Sequence, residues 1–121
     1  MTDAIRVLIV DDQEAFRSAA RMVVESSDGF AIIGEAVSGE EGVRLAMDLA
    51  PDLILMDVKM PGIDGLEATR RIMAERPDAR VVVLSTYDEF ADQSEAAGAV
   101  AFIAKADFSP GRLVEVWSAT S

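Results

Sequence analysis

An acidic pair, Asp11-Asp12, directly follows the apolar run Ile5–Val10, and a third carboxylate, Asp57, directly follows Leu53–Met56. The run Val81–Leu84 leads into two hydroxyls, Ser85-Thr86, and Val100–Ala104 leads into Lys105. In open parallel sheets, ligands bind outside the carboxyl ends of the strands. Three carboxylates gathered there repel one another, and the stable resolutions are protonation of one or capture of a divalent cation. The chain has no cysteine and no histidine, so a metal must accept oxygen ligands; Mg²⁺ is the expected cofactor, with Mn²⁺ as a substitute. Mg²⁺ seeks six oxygens, which a pair of carboxylates, a backbone carbonyl, waters and a phosphoryl oxygen can supply. Lys105 adds a point charge able to balance a new anion, and the Ser85 hydroxyl can donate to a phosphoryl oxygen. The set suits the holding of one phosphoryl group, because phosphoryl transfer is catalysed mostly by positioning and charge stabilisation.

Those groups meet only if their runs are neighbouring strands. The runs are rich in Val, Ile and Leu and mostly lack in–out alternation, as strands buried on both faces of a parallel sheet do. Arg6 interrupts the first run and marks its start. Phe30–Ile33 adds a strand whose end, Glu35-Ala36-Val37, is chemically less pointed. Between the runs, Phe16, Ala19, Ala20, Val23 and Val24 fall on one helical face, and Val43, Ala46, Met47 and Ala50 repeat the spacing. Ser38 with Glu41 forms a capping box for the second helix, which Pro51 stops. A third helix is expected from about Asp64 to Arg76, with Leu66, Ile72 and Met73 inward and Pro77 after it. Ser109-Pro110 opens a last helix carrying Leu113, Val114, Val116 and Trp117. Between Asp88 and Ala97 the only bulky apolar residue is Phe90, so the fourth helix should be the least stable.

Five β-α repeats predict one doubly wound α/β domain with a five-stranded parallel sheet. The order 2-1-3-4-5 sets strands 1, 3, 4 and 5 side by side, which brings the acids, hydroxyls and lysine together. A single domain over residues 1–121, with no output domain in this chain, is expected. Composition narrows the function classes further. A net charge of −11 with no basic cluster argues against direct nucleic-acid binding. No apolar run approaches the ~20 residues of a membrane span, and no basic leader precedes Ile5, so no membrane association and a cytoplasmic location are expected.

With these blocks in view, the sequence resembles the receiver domains of bacterial two-component response regulators. The resemblance is carried by Val7-Leu-Ile-Val-Asp11-Asp12, by Leu53-Ile-Leu-Met-Asp57-Val-Lys-Met-Pro61-Gly-Ile-Asp64-Gly65, by Val82-Val-Leu-Ser85, by Gly98-Ala99 and by Phe102-Ile-Ala-Lys105. The wording is most similar to the branch whose members often carry a C-terminal LuxR/NarL-type helix-turn-helix. The resemblance implies a flavodoxin-like receiver fold and a phosphoacceptor switch rather than an enzyme, limited to self-phosphorylation from small donors and autodephosphorylation. It implies that Asp57 takes a phosphoryl group from a phosphohistidine on a histidine kinase or phosphotransfer protein. Asp12 and Asp57 would ligate Mg²⁺ directly, Asp11 would help through water, and the Lys59 backbone carbonyl would add a ligand. Lys105 would pair with the phosphoryl group, Ser85 (or its neighbour Thr86) would swing toward it, and Phe102 would turn inward. A second copy of the chain or a downstream protein would be the output partner.

Other readings compete for these residues. A lone acidic pair after a strand is often a helix cap, and Phe102 is equally expected as a core aromatic. A pseudo-receiver, a protein-interaction module of the same fold that is never phosphorylated, is the main alternative. The segment from Ser85 to Lys105 is shorter than members usually have, so a truncated or displaced fourth helix is expected. An Asp-dependent phosphohydrolase would place a second Asp two residues after the first, where Lys59 stands. No Gly-x-Gly-x-x-Gly follows the first strand and the sequence has no Gly-Lys-Ser/Thr loop, which disfavours a small nucleotide-binding protein.

Overall fold

The computed structural model describes residues 3–120. Five strands alternate with five α-helices: β1 (Ile5–Val10), α1 (Glu14–Glu25), β2 (Phe30–Ala36), α2 (Gly39–Leu49), β3 (Leu53–Asp57), α3 (Gly65–Glu75), β4 (Arg80–Ser85), α4 (Ala91–Ala97), β5 (Ala101–Ala104) and α5 (Pro110–Ala119). Short 3₁₀ turns occupy Asp88–Phe90 and Lys105–Asp107. All pairings are parallel and the order is β2-β1-β3-β4-β5, as the polar strand ends require.

Alternate residues of each strand face opposite sides of the sheet, and both sides are covered. Leu8, Val10, Ile54, Met56, Val81 and Val83 pack with Ala46 of α2 and with Leu66 and Ile72 of α3. Val7, Ile9, Leu53, Leu55, Val82 and Leu84 pack with Ala20 and Val24 of α1 and Leu113 of α5. This double burial is why β1, β3 and β4 read as continuous apolar runs. The edge strand β2 is mostly half-buried and ends at Ala36, within the expected Glu35-Ala36-Val37. There Glu35, polar but paired across the sheet to Ile9, is accommodated because its carboxylate receives a fork of two bonds from Arg21 at 2.8 and 2.9 Å. That hydrogen bond holds the Glu35 pKa below the usual carboxylate range and ties α1 to the sheet.

Three local expectations need adjustment. Ala19 and Val114 face solvent, since each sits at the margin of a stripe whose buried centre is Ala20 and Val24 in α1 and Leu113 in α5. Val100 precedes β5 and is exposed, although its N–H donates to the Val81 carbonyl at 2.9 Å. At α2, Ser38 caps the Glu41 N–H as expected, but the Glu41 carboxylate returns to the Val37 N–H, one residue outside the usual box. Among the described residues, no helix is long and apolar enough to cross a membrane.

Candidate functional site

Asp57 ends the central strand and is only 7% exposed. The loop after it folds back tightly, with the Gly65 N–H donating to the Val58 carbonyl at 2.8 Å. A Cβ at Gly65 would overlap the Asp57 carbonyl oxygen, so glycine is required there by close approach rather than by backbone angle. Asp64 caps the start of α3 through the Glu67 N–H at 2.8 Å, and buried Thr69 bonds back to the Gly65 carbonyl at 2.7 Å. Glu40, from α2, accepts from the Ile63 N–H at 3.2 Å and braces the same loop.

Asp11, at the end of β1, is 1% exposed. Its Oδ1 accepts from the Gln13 N–H at 2.8 Å, and its carbonyl accepts from Arg17 Nη1 at 2.9 Å. Lys105 reaches across the sheet ends, donating to Asp11 Oδ2 at 2.8 Å with Asp57 Oδ1 at 3.2 Å. The same ammonium lies 4.3 Å from the centre of the Phe16 ring. Burial works against the charged lysine, but its bond to Asp11 and the charge of Asp57 outweigh that cost and raise its pKa above the ordinary value. For Asp57, burial and then the neighbouring Asp11 carboxylate push the pKa up to about 6, against the opposing pull of Lys105.

Asp12 is exposed, yet its carboxylate, with those of Asp11 and Asp57, offers oxygens all within 4.8 Å of one another. One lysine therefore serves a cluster that carries more negative charge than it can neutralise. An all-oxygen donor set with an anion held unfavourably in its midst fits a divalent metal ion.

Ser85 is buried at the end of β4, its hydroxyl accepting from the Tyr87 N–H at 3.2 Å, while Thr86 is exposed. Both line a cleft of about 210 Å³ with Asp57, Lys59, Lys105, Gln13 and Tyr87. Phe102 lies elsewhere. It is half-buried on β5, opposite Val83, and packs on the side of the sheet covered by α2 and α3. Three residues at the site had no functional signal in the sequence. Phe16 read as part of an apolar stripe, while Gln13 and Arg17 stood in no recognisable spacing to their targets.

Residues 7–117 match the family of response regulator receiver domains. The chain belongs to that family. Receiver domains are the signalling switches of two-component systems. This one is 44% identical over 103 residues to the response regulator GacA of Pseudomonas viridiflava, a match covering 84% of this chain and 48% of that protein. It is thus about half the length of the curated relatives it matches. A LuxR-family two-component response regulator from Aurantimonas sp. SI85-9A1 superposes with a TM-score of 0.88 at 32% identity, over 98% of this chain and 85% of the other. The CheX-CheY-BeF3-Mg+2 complex of Borrelia burgdorferi gives a TM-score of 0.84 at 28% identity, covering 98% and 90%.

Proposed function

We propose that this receiver domain is a phosphorylation-dependent switch whose acceptor is Asp57. The observation that carries the reading is the convergence of Asp11, Asp57 and Lys105 at one end of the sheet, beside a cleft with room for a phosphoryl group. An Asp57 carboxylate oxygen attacks the phosphorus of a phosphohistidine on a kinase or phosphotransfer protein. The P–O bond forms as the P–N bond breaks, and the imidazole nitrogen keeps the electron pair and takes a proton from solvent. Asp12 and Asp57, with the Lys59 carbonyl, would hold Mg²⁺ (or Mn²⁺), and Asp11 would support it through water. When bound, the divalent cation supplies neutralisation of the charge on the phosphoryl oxygens. Lys105, held by Asp11, presents its ammonium to the incoming anion. Ser85, or exposed Thr86 beside it, donates a hydroxyl to a phosphoryl oxygen; for Ser85 the same oxygen already accepts from the Tyr87 N–H and has its O–H free to donate. Phe102 would respond by turning further into the space beside α4. The Borrelia complex, which holds BeF3 and Mg²⁺, supports the metal assignment by likeness of fold. The cytoplasm, where histidine kinases present their phosphohistidine, is the proposed location.

The test is incubation with acetyl phosphate or phosphoramidate and Mg²⁺, followed by intact-mass measurement beside Asp57→Asn. A Mg²⁺-dependent gain of one phosphoryl group, absent from the variant, is expected. No gain from small donors or from a phosphorylated histidine partner would replace this reading with the pseudo-receiver module.

A further inference from the structure

The site as described lacks one positive charge in its phosphorylated state. Three carboxylates, a divalent cation and the Lys105 ammonium balance one another, and phosphorylation of Asp57 adds about one further negative charge. Among the residues lining the cleft, the other cation is Lys59. Its ammonium makes no ion pair among the described residues; it lies 4.8 Å from the centre of the Tyr87 ring and 5.7 Å from that of Phe90. Aromatic faces hold a cation only weakly at an exposed site, and Tyr87 is half-exposed. A phosphoryl group in the same cleft is the stronger acceptor, because both partners are then charged.

The two rings belong to a sparsely supported segment. Tyr87 precedes the turn Asp88–Phe90 and Phe90 ends it, and neither that turn nor α4 has a side-chain cap. Beyond them α4 buries only Ser94 and Ala97. The Tyr87 N–H also bonds the Ser85 hydroxyl at 3.2 Å, on the wall of the same cleft.

We propose that the Lys59 ammonium is a second cation for the phosphoryl group, parked on Tyr87 and Phe90 in the unmodified protein and transferred to the phosphoryl oxygens on modification. This inference rests on Asp57 being the acceptor. Its consequence is mechanical. Departure of the cation removes a contact that ties residues 87–90 to the loop after β3, while a phosphoryl claim on the Ser85 O–H pulls on the hydroxyl that accepts from the Tyr87 N–H. Charge at Asp57 is thereby converted into freedom of the Asp88–Ala97 segment.

Tyr87 is the only tyrosine, so its ring signals report this one place. The full chain, labelled at tyrosine, is followed by NMR with Mg²⁺ and phosphoramidate, and intact mass gives the phosphorylated fraction of each sample. Tyr87 signals are expected to move on phosphorylation of the wild type. In Lys59→Met they should start near the phosphorylated wild-type position and move less than half as far, and Lys59→Arg should restore the wild-type behaviour. Equal Tyr87 movement in wild type and Lys59→Met, with equal mass gain, would overturn the proposal and leave the switch intact. Absence of mass gain in the wild type would overturn the switch and this proposal together. A mass gain in wild type and Lys59→Arg but not in Lys59→Met would support Lys59 as a cation the phosphoryl group requires.

Discussion

The chain that carries Asp57 and the chain that lies beside it across the cleft are built in opposite ways. From Leu53 to Val58 every residue is buried, Gly65 presses on the Asp57 carbonyl, and Asp64, Thr69 and Glu40 all bond into the turn and helix that follow. From Tyr87 to Ala97 only Ser94 and Ala97 are buried, and Phe90 is the single large side chain reaching the core cluster. The acceptor is therefore held by geometry that tolerates almost no change, whereas its neighbour is held by few contacts, two of which point back at the cleft. A switch needs both: a rigid place for the charge to arrive and a nearly balanced element for it to tip.

Gly65→Ala should break the rigid half most severely. The added methyl has no space beside the Asp57 carbonyl, so a loss of about 3 kcal/mol or more in urea unfolding is expected, with phosphoryl uptake abolished even in the folded fraction. Asp57→Asn should act in the opposite direction. Because the folded-state pKa of Asp57 is about 6 against 3.8 as reference, ionising it favours the unfolded chain. The wild type keeps its full relative stability below about pH 4 and loses it as pH rises toward 6. The Asn variant escapes that loss, so its advantage should grow from pH 4 to 7 to at most roughly 3 kcal/mol. Mg²⁺ should narrow the gap by stabilising the wild type. A variant advantage independent of pH would show that the Asp57 carboxylate is not strained.

Lys105→Met removes the one cation shared by Asp11 and Asp57. The Asp57 pKa should move further above about 6, read by carboxyl ¹³C NMR, since Lys105 is what opposes the upward push. The variant should also lose roughly 2 kcal/mol at pH 7 and give a smaller conformational response to phosphorylation. The smallest effect is expected in the loose half. Ser94 donates to the Phe90 carbonyl at 2.7 Å while 1% exposed, and Ser94→Ala should cost about 1 kcal/mol. Amide exchange should already be much faster over residues 88–97 than over 53–58 in the wild type. Equal protection of the two segments would erase the comparison altogether.

Much of the fold was legible because it follows from short-range patterns. Runs of Val, Ile and Leu separated by helical spacing imply a parallel sheet covered on both faces, and the strand order followed from asking which neighbours would unite Asp11, Asp57, Ser85 and Lys105. The caps at Ser38 and Ser109 were readable for the same reason, since a cap and its target lie three residues apart. The outward turn of Ala19 and Val114 was not, because it depends on how each helix is set against the sheet.

The sequence by itself determined which chemical groups stand at the strand ends, and hence that acids, a hydroxyl pair and a lysine would share one end of the molecule. Only the tertiary structure decided how they meet. The approach of Lys105 to Asp11 spans 94 positions, the contact of Gly65 with the Asp57 carbonyl depends on how sharply one loop folds back, and the seat of Lys59 on Tyr87 and Phe90 joins two loops from neighbouring strands. Side-chain type is written in the sequence, but distance between remote segments is set by packing of the whole sheet, and the burial that raises Asp57 to about 6 exists only once that packing is complete.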